Sequence, residues 1–262
     1  MNPSGIEAFG MLASGRDGTD GIETAVGVPL TAYYNASYLA DLVLDSGEVE
    51  EWHDHGNDPP VYPFDQLVGT DRLNYEETGW DGQPELTAYD GAAHSLDNST
   101  LQGFLATGSW ALLLAMNVPA QSSTNRILFS NSYSPNQYLA IDYPSSSPPY
   151  CYWRRNGVTR QGAVARTVGR VVYLWRYDAV TGACLWEEYS SAGWHTLVSD
   201  TFTPGNIAPG NYVQLCNYAP GGTYQPKCSF RIIAFWGVTI PSGAQLRAGG
   251  EWIANGLGCP VT

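Results

Sequence analysis

Charge is scarce in this chain. Only 14% of its 262 residues are Asp, Glu, Lys or Arg, too few for the polar faces of a helical bundle, whose sequences draw heavily on Glu, Lys and Arg. Positive charge is scarcer still: 12 basic residues stand against 25 acidic ones, a net −13. The average field therefore repels phosphate backbones and anionic membranes, and neither nucleic acid nor a membrane is expected as a partner. The cluster Arg154-Arg155 beside Trp153 is too small for a nucleic-acid groove.

Other absences narrow the field further. The longest apolar run, Trp110 to Met116, has the length of a strand and not of a membrane span. The opening MNPSGIEAFGMLASGRDGTDGIE has neither the basic start nor the apolar core of a secretory signal. The five cysteines (Cys151, Cys184, Cys216, Cys228, Cys259) show no CxxC spacing and no pairing with His, so no zinc or iron-sulfur framework is indicated. Cys216 and Cys228 flank the turn-rich NYAPGGTYQPK and are candidates to face each other across a hairpin. GxSxG and phosphate-binding glycine loops are missing, and no cofactor is expected.

What is present favours β structure: 29 Gly, 17 Pro, 17 Tyr and 9 Trp suit strands joined by tight turns. Leu39 to Leu44 is a short apolar segment and Glu48 to Trp52 alternates; strands are expected at Pro84 to Tyr89, Ser109 to Met116, Arg126 to Ser130, Tyr138 to Ile141 and Tyr150 to Arg154. Gly169 to Arg176 and Ala183 to Tyr189 flank a short hairpin loop, and Gly193 to Val198, Tyr212 to Asn217 and Ser229 to Val238 follow. Strands at intervals of about ten residues indicate a sandwich or barrel. One helix is expected near the C-terminus, with Ser242 as N-cap, Leu246, Trp252 and Ile253 on one face and Gly256 as the stop. Residues 1–38 carry no sustained periodicity and read as an arm, followed by one domain over 39–262.

The most chemical stretch is WHDHGND, residues 52–58. Zinc would need a third protein ligand beyond His53 and His55, whereas Ca2+ on Asp54, Asn57 and Asp58 is chemically easier. The reading preferred is plainer: Trp52 anchors the loop in the core, and Asp54 and Asn57 accept hydrogen bonds from loop amides. A glycosidase needs two facing carboxylates. Alternation places Glu48 and Glu50 on one strand face with Trp52 as the third position, while Glu187 and Glu188, being adjacent, point to opposite faces. Among aromatics, Tyr152 and Trp153 with Arg154 are the preferred candidates for stacking on a sugar. Tyr150, Trp175, Trp186 and Trp194 also qualify by type, with core packing favoured for Trp175 and Trp186.

Leu42 to Asp45, then Val49/Trp52/Asp54/Gly56/Asn57, then Gly82/Pro84/Leu86/Asp90/Gly91, and finally Phe230 to Val238 followed by Ile240 to Leu257, resemble in order and spacing the concanavalin A-like (laminin-G-like) jelly-roll modules of phage structural and bacterial surface proteins. The resemblance spans about residues 39 to 258. The chain departs from it where Phe235 and Trp236 replace a carboxylate and a Tyr. It implies an all-β, two-sheet antiparallel jelly-roll sandwich with one short C-terminal helix, here preceded by an extended arm. The function expected from it is a non-enzymatic display module on a virion surface, docked on other subunits of the assembly through residues 1–38, contacting glycans and homo-oligomeric. The alternative is a lectin-like carbohydrate-binding module of a bacterial surface protein, extracellular or at the cell surface; the third reading is a glycoside hydrolase.

Overall fold

The computed structural model describes residues 18–55, 61–66, 72–88, 96–118, 126–131, 137–141, 151–162, 164–206, 213–215, 228–257 and 259–262, and for 18, 19, 126–131, 137–141 and 214 only the backbone. Along the chain come α1 (Gly18–Val26), β1 (Ala32–Asn35), β2 (Leu42–Asp45), β3 (Glu48–Trp52), β4 (Phe64–Asp65), β5 (Leu73–Trp80), β6 (Gln83–Thr87) and β7 (Leu96–Asn98). After α2 (Gln102–Thr107) follow β8 (Trp110–Val118), β9 (Arg126–Asn131), β10 (Gln137–Ile141), β11 (Cys151–Arg155) and β12 (Val158–Gln161). The chain closes with β13 (Gly169–Tyr177), β14 (Ala183–Ser190), β15 (Gly193–Thr201), β16 (Val213–Leu215), β17 (Ser229–Trp236) and α3 (Gly243–Gly256).

Every strand pairing among the described residues is antiparallel, and the ladder folds over into two layers. In the first, β17 pairs with β1 and β6 on one side and β8 on the other, and β13, β14 and β15 continue from β8. The second runs β2-β3-β4-β7-β16-β9-β10-β11-β12. Pairing of β5 with both β3 and β6 joins the layers at one edge. The all-β sandwich expected from strand spacing is what forms.

Alternation along the central strands sorts side chains into two cores. Leu112, Leu114 and Met116 of β8, with Tyr173 and Trp175 of β13, meet Trp52, Phe64, Leu96, Trp153 and Leu215 between the layers. Ala111, Leu113 and Ala115, with Val172 and Leu174, face the other way and pack under Ile22 and Val26 of α1 and Leu246, Ile253 and Ala254 of α3. The two helices thus form a third layer over the outer face of the first sheet. The expected C-terminal helix carries the expected cap: Ser242 Oγ accepts from Gln245 N at 3.3 Å, and the Gln245 side chain accepts from Ser242 N at 2.9 Å.

Residues 18–38, read from sequence as part of an arm, are built into the body instead. Ile22, Val26, Tyr33 and Tyr34 are buried, and Ala32 to Asn35 pair in register with Phe235 to Ile232. The short apolar run Ala-Tyr-Tyr finds an open edge on β17, which burial and four residues of ladder stabilise more than solvation. Residues 1–17 lie outside the described residues.

Candidate functional site

The polar loop after β3 is held from within. Trp52 is fully buried, its ring centroid 5.5 Å from that of Tyr34. Asp54 is 1% exposed and its Oδ1 accepts from the backbone N of Val61 and of Tyr62, each at 2.9 Å. The histidines diverge: His53 Nε2 lies 2.6 Å from Glu51 Oε2, and His55 Nδ1 lies 2.6 Å from Asp41 Oδ2 while its ring stacks on Tyr38 at 4.2 Å. Among the described residues no three His, Cys, Asp or Glu side chains gather as a metal site. Asn57 and Asp58, the other two candidate calcium ligands, lie outside the described residues. Asp54 serves as the turn stabiliser that its residue type suggested.

The trio Tyr152, Trp153, Arg154 does not form one surface, because successive strand residues point to opposite faces. Trp153 faces the core at 0% exposure, 5.4 Å from Trp110 and 6.0 Å from Phe202 between ring centroids. It therefore has no face to offer a ligand. Tyr152 and Arg154 lie on the opposite side of β11, where Arg154 is partly exposed and Tyr152 is buried at 7% exposure, so Tyr152 offers no open stacking face either. Arg155 turns inward again, donating to Leu105 O at 3.1 Å and Gly205 O at 2.9 Å with its guanidinium 4.0 Å from the Tyr177 ring centre, and burial lowers its pKa.

A β-bulge revises the carboxylate geometry on β3. Val43 pairs with Glu51 and Leu44 with Val49, so Glu50 is surplus and Val49 and Trp52 both reach the core three residues apart. Trp52 is consequently not the third member of an outward row with Glu48 and Glu50. The carboxylate brought opposite a neighbouring strand is that of Glu51, paired with Asp65 on β4. Asp65 pairs in turn with Asp97 on β7. From there one register row continues through Gln214, Ser130, Tyr138 and Arg154 to Thr159. The row crosses eight strands, about 34 Å at ~4.8 Å per strand. Its carboxylates stand at one end and its arginine toward the other. Partial desolvation raises the pKa of Asp65, and the Glu51 charge adds to the rise. Along this row Asp65 and Thr159 are exposed, Glu51, Asp97 and Arg154 are partly buried, and Tyr152 beside Arg154 is 7% exposed, whereas α1 and α3 cover the outer face of the first layer.

Glu187 and Glu188 point to opposite faces, as adjacency requires. Glu188, 0% exposed, accepts His195 Nε2 at 2.9 Å and Thr167 N at 3.0 Å; Glu187, 1% exposed, accepts Arg247 Nε at 2.7 Å on the helix side. They cannot act on one bond together. Trp175 and Trp186 are buried core residues, while Trp194 reaches solvent in part. Sequence reasoning missed Glu51, Asp65 and Asp97 as a group. The local signal was a polar residue adjoining a core one each time: Glu51-Trp52, Phe64-Asp65, Leu96-Asp97.

No family model and no curated protein matches the chain. Solved structures do. An arabinofuranosidase complexed with arabinofuranosyl-α-1,2-xylobiose is similar over 90% of this chain, with a TM-score of 0.63 and 8% identity. Domain 4 of a GH43 extracellular arabinanase from Geobacillus stearothermophilus, in complex with arabinotriose, is similar over 84% of this chain and 98% of its own, with a TM-score of 0.54 and 13% identity. A Trypanosoma rangeli sialidase is similar over 87% of this chain, with a TM-score of 0.55 and 7% identity. The chain spans 64% of the arabinofuranosidase and 33% of the sialidase. The expectation that the chain is not an enzyme is corrected by these matches, because chains named for glycoside hydrolysis share its fold. At such identities the likeness carries the fold alone, an all-β sandwich.

Proposed function

We propose that the chain is a carbohydrate-binding β-sandwich that takes an oligosaccharide across the outer face of its second layer. The register row from Glu51 to Thr159, in which Asp65 and Thr159 are exposed and Glu51, Asp97 and Arg154 are partly so, is the observation that carries this reading. Carboxylates accept hydrogen bonds from sugar hydroxyls, and Arg154 donates to them. Domain 4 of the GH43 arabinanase, matched over 98% of its own length, is described with arabinotriose bound, and an extracellular setting agrees with glycans as ligands. A docking role for the arm falls to the residues before Gly18, since 18–38 belong to the body.

The test is calorimetric titration with arabinotriose and a glycan array. Arg154→Ala and Asp65→Ala are each expected to weaken binding of a positive ligand about tenfold, the loss of one charged hydrogen bond. A positive ligand bound equally well by both variants removes this face from consideration. One observation favours a second reading, glycoside hydrolysis on the same face: the raised pKa of Asp65 beside Glu51 suits an acid and a base on one bond. Release of reducing sugar that Asp65→Asn abolishes would support it.

A further inference from the structure

The helix layer carries a feature that the sheet face does not use. Tyr189 and Trp194 are cross-strand partners on β14 and β15, with ring centroids 5.1 Å apart, and both remain partly exposed at the sheet edge beside α3. The benzo ring of Trp194 lies against Gly250, where a Cβ would fall 2.7 Å from Cζ2 and Cη2, so any larger residue there would displace the indole. Trp194 Nε1 donates to Glu251 Oε1 at 2.9 Å, fixing the ring's azimuth. Two residues along β15, Thr196 Oγ1 donates to Glu187 Oε1 at 3.0 Å, and Glu187 receives Arg247 through Nε at 2.7 Å and Nη2 at 2.5 Å.

These contacts make two rungs between β15 and α3. Trp194 to Thr196 spans about 6.6 Å on the strand, and Arg247 to Glu251 spans about 6 Å on the helix, where positions four apart share a face. A flat aromatic held rigid, a hydroxyl, a carboxylate edge and a guanidinium thus border a strip on the scale of one sugar ring. The Arg247 charge is already neutralised by Glu187, and Glu251 adds a negative charge, so the strip suits an uncharged ligand and not an acidic sugar. Rigidity matters because a ring already ordered in the free protein loses little entropy when a ligand stacks on it. Of the tryptophans that sequence offered as sugar platforms, Trp153, Trp175 and Trp186 are fully buried, and Trp194 is the one that keeps solvent contact.

We propose a second carbohydrate contact at the β15–α3 edge, in which Trp194 stacks on the apolar face of a neutral pyranose or furanose ring while Glu251 and Thr196 bind its hydroxyls. It lies on the first layer, apart from the row on the second. Arabinotriose, xylotriose and cellotriose, each at millimolar concentration, are titrated into the full chain labelled with 15N while the indole N–H resonances are followed. The Trp194 signal is assigned by its loss in Trp194→Phe, which keeps a ring against Gly250. At least one probe is expected to shift that signal saturably, and Trp194→Ala to weaken the same probe about tenfold, the scale of one aromatic contact. Glu251→Ala is expected to weaken it severalfold. A Trp194 signal that stays still with all three probes overturns the proposal, as does full-strength binding by a folded Trp194→Ala. The same probes applied to Arg154→Ala report on the sheet face, so either site can fail alone.

Discussion

Strands β3 and β14 each carry adjacent glutamates beside a tryptophan, Glu50-Glu51-Trp52 and Trp186-Glu187-Glu188, yet use them in opposite ways. On β3 the carboxylates stay near water: the side chain of Glu50 is 34% exposed and that of Glu51 is 40% exposed. On β14 both are buried, and each has a dedicated cationic or imidazole partner. The difference lies in what the neighbouring strands supply. β14 sits between β13 and β15 with the inter-layer core on one face and α3 on the other, so a carboxylate there must be satisfied by protein. β3 turns only one face inward, and a bulge at Glu50 spares its acids from burial.

The largest effect expected from this contrast follows from emptying the Glu188 position. Glu188→Ala empties a fully buried position and leaves the Thr167 amide and the His195 ring, 31% exposed, without their acceptor, and is expected to cost about 3 kcal/mol. That is a fall of roughly 6–12 °C in thermal midpoint for a chain of this size. Glu187→Ala is expected to cost less, about 1 kcal/mol, because the freed Arg247 is half exposed and regains water. Equal losses in the two variants would break the argument that the cost is set by what each carboxylate leaves empty or unsatisfied inside the protein.

A third buried carboxylate sharpens the comparison through pH. Glu85 is 4% exposed and its nearest partner is the hydroxyl of Ser229. Burial raises its pKa, and the Ser229 hydrogen bond opposes the rise only in part. The folded state therefore binds the Glu85 proton more tightly than the unfolded chain does. The stability it contributes is complete below the ordinary glutamate value and is lost as pH rises through the raised one. Asp65 acts in the same direction, while Asp45, held low by its hydrogen bond from Arg72, acts oppositely and loses its contribution as pH falls. Urea midpoints measured across that window should decline with pH in the wild type and decline less in Glu85→Gln. Identical slopes would show that Glu85 titrates normally.

The parts of this picture legible in the sequence are those governed by neighbours along the chain. Ser242 marked the start of α3, Trp52 with Asp54 marked an anchored turn, and Asp178 with Gly182 marked the β13–β14 hairpin. There the carboxylate of Asp178 accepts from Val180 N at 2.9 Å, and Gly182 adopts a φ of +76°. What stayed hidden depends on partners far away. α1 has two glycines and only Ile22 and Val26 to show for a stripe; it forms because α3 offers a surface, and Gly21 is required since a Cβ there would lie 2.1 Å from the Trp252 ring. The row from Glu51 to Thr159 is drawn from eight strands, and the bulge that puts Glu51 into it is invisible to a simple alternation of in and out. Such features are set by register, which local composition does not encode.

The smallest effect belongs to Glu50, and it decides how far the contrast extends. Arg72 has an 8% exposed side chain whose Nη1 donates to Asp45 Oδ2 at 2.8 Å and whose Nε donates to Gln66 O at 3.0 Å, whereas Glu50 approaches Nη2 only to 3.4 Å. Removing Glu50 leaves the arginine with two good acceptors, and the lost carboxylate was already a third exposed. Glu50→Ala should therefore change stability by less than about 0.5 kcal/mol, and that difference should shrink further in 1 M salt, where exposed charges are screened within about 3 Å. Chemical denaturation at low and high salt measures both. A salt-independent loss as large as that of Glu187→Ala would mean that Arg72 needs all three oxygens, and β3 would then belong with β14 as a strand whose acids hold the fold.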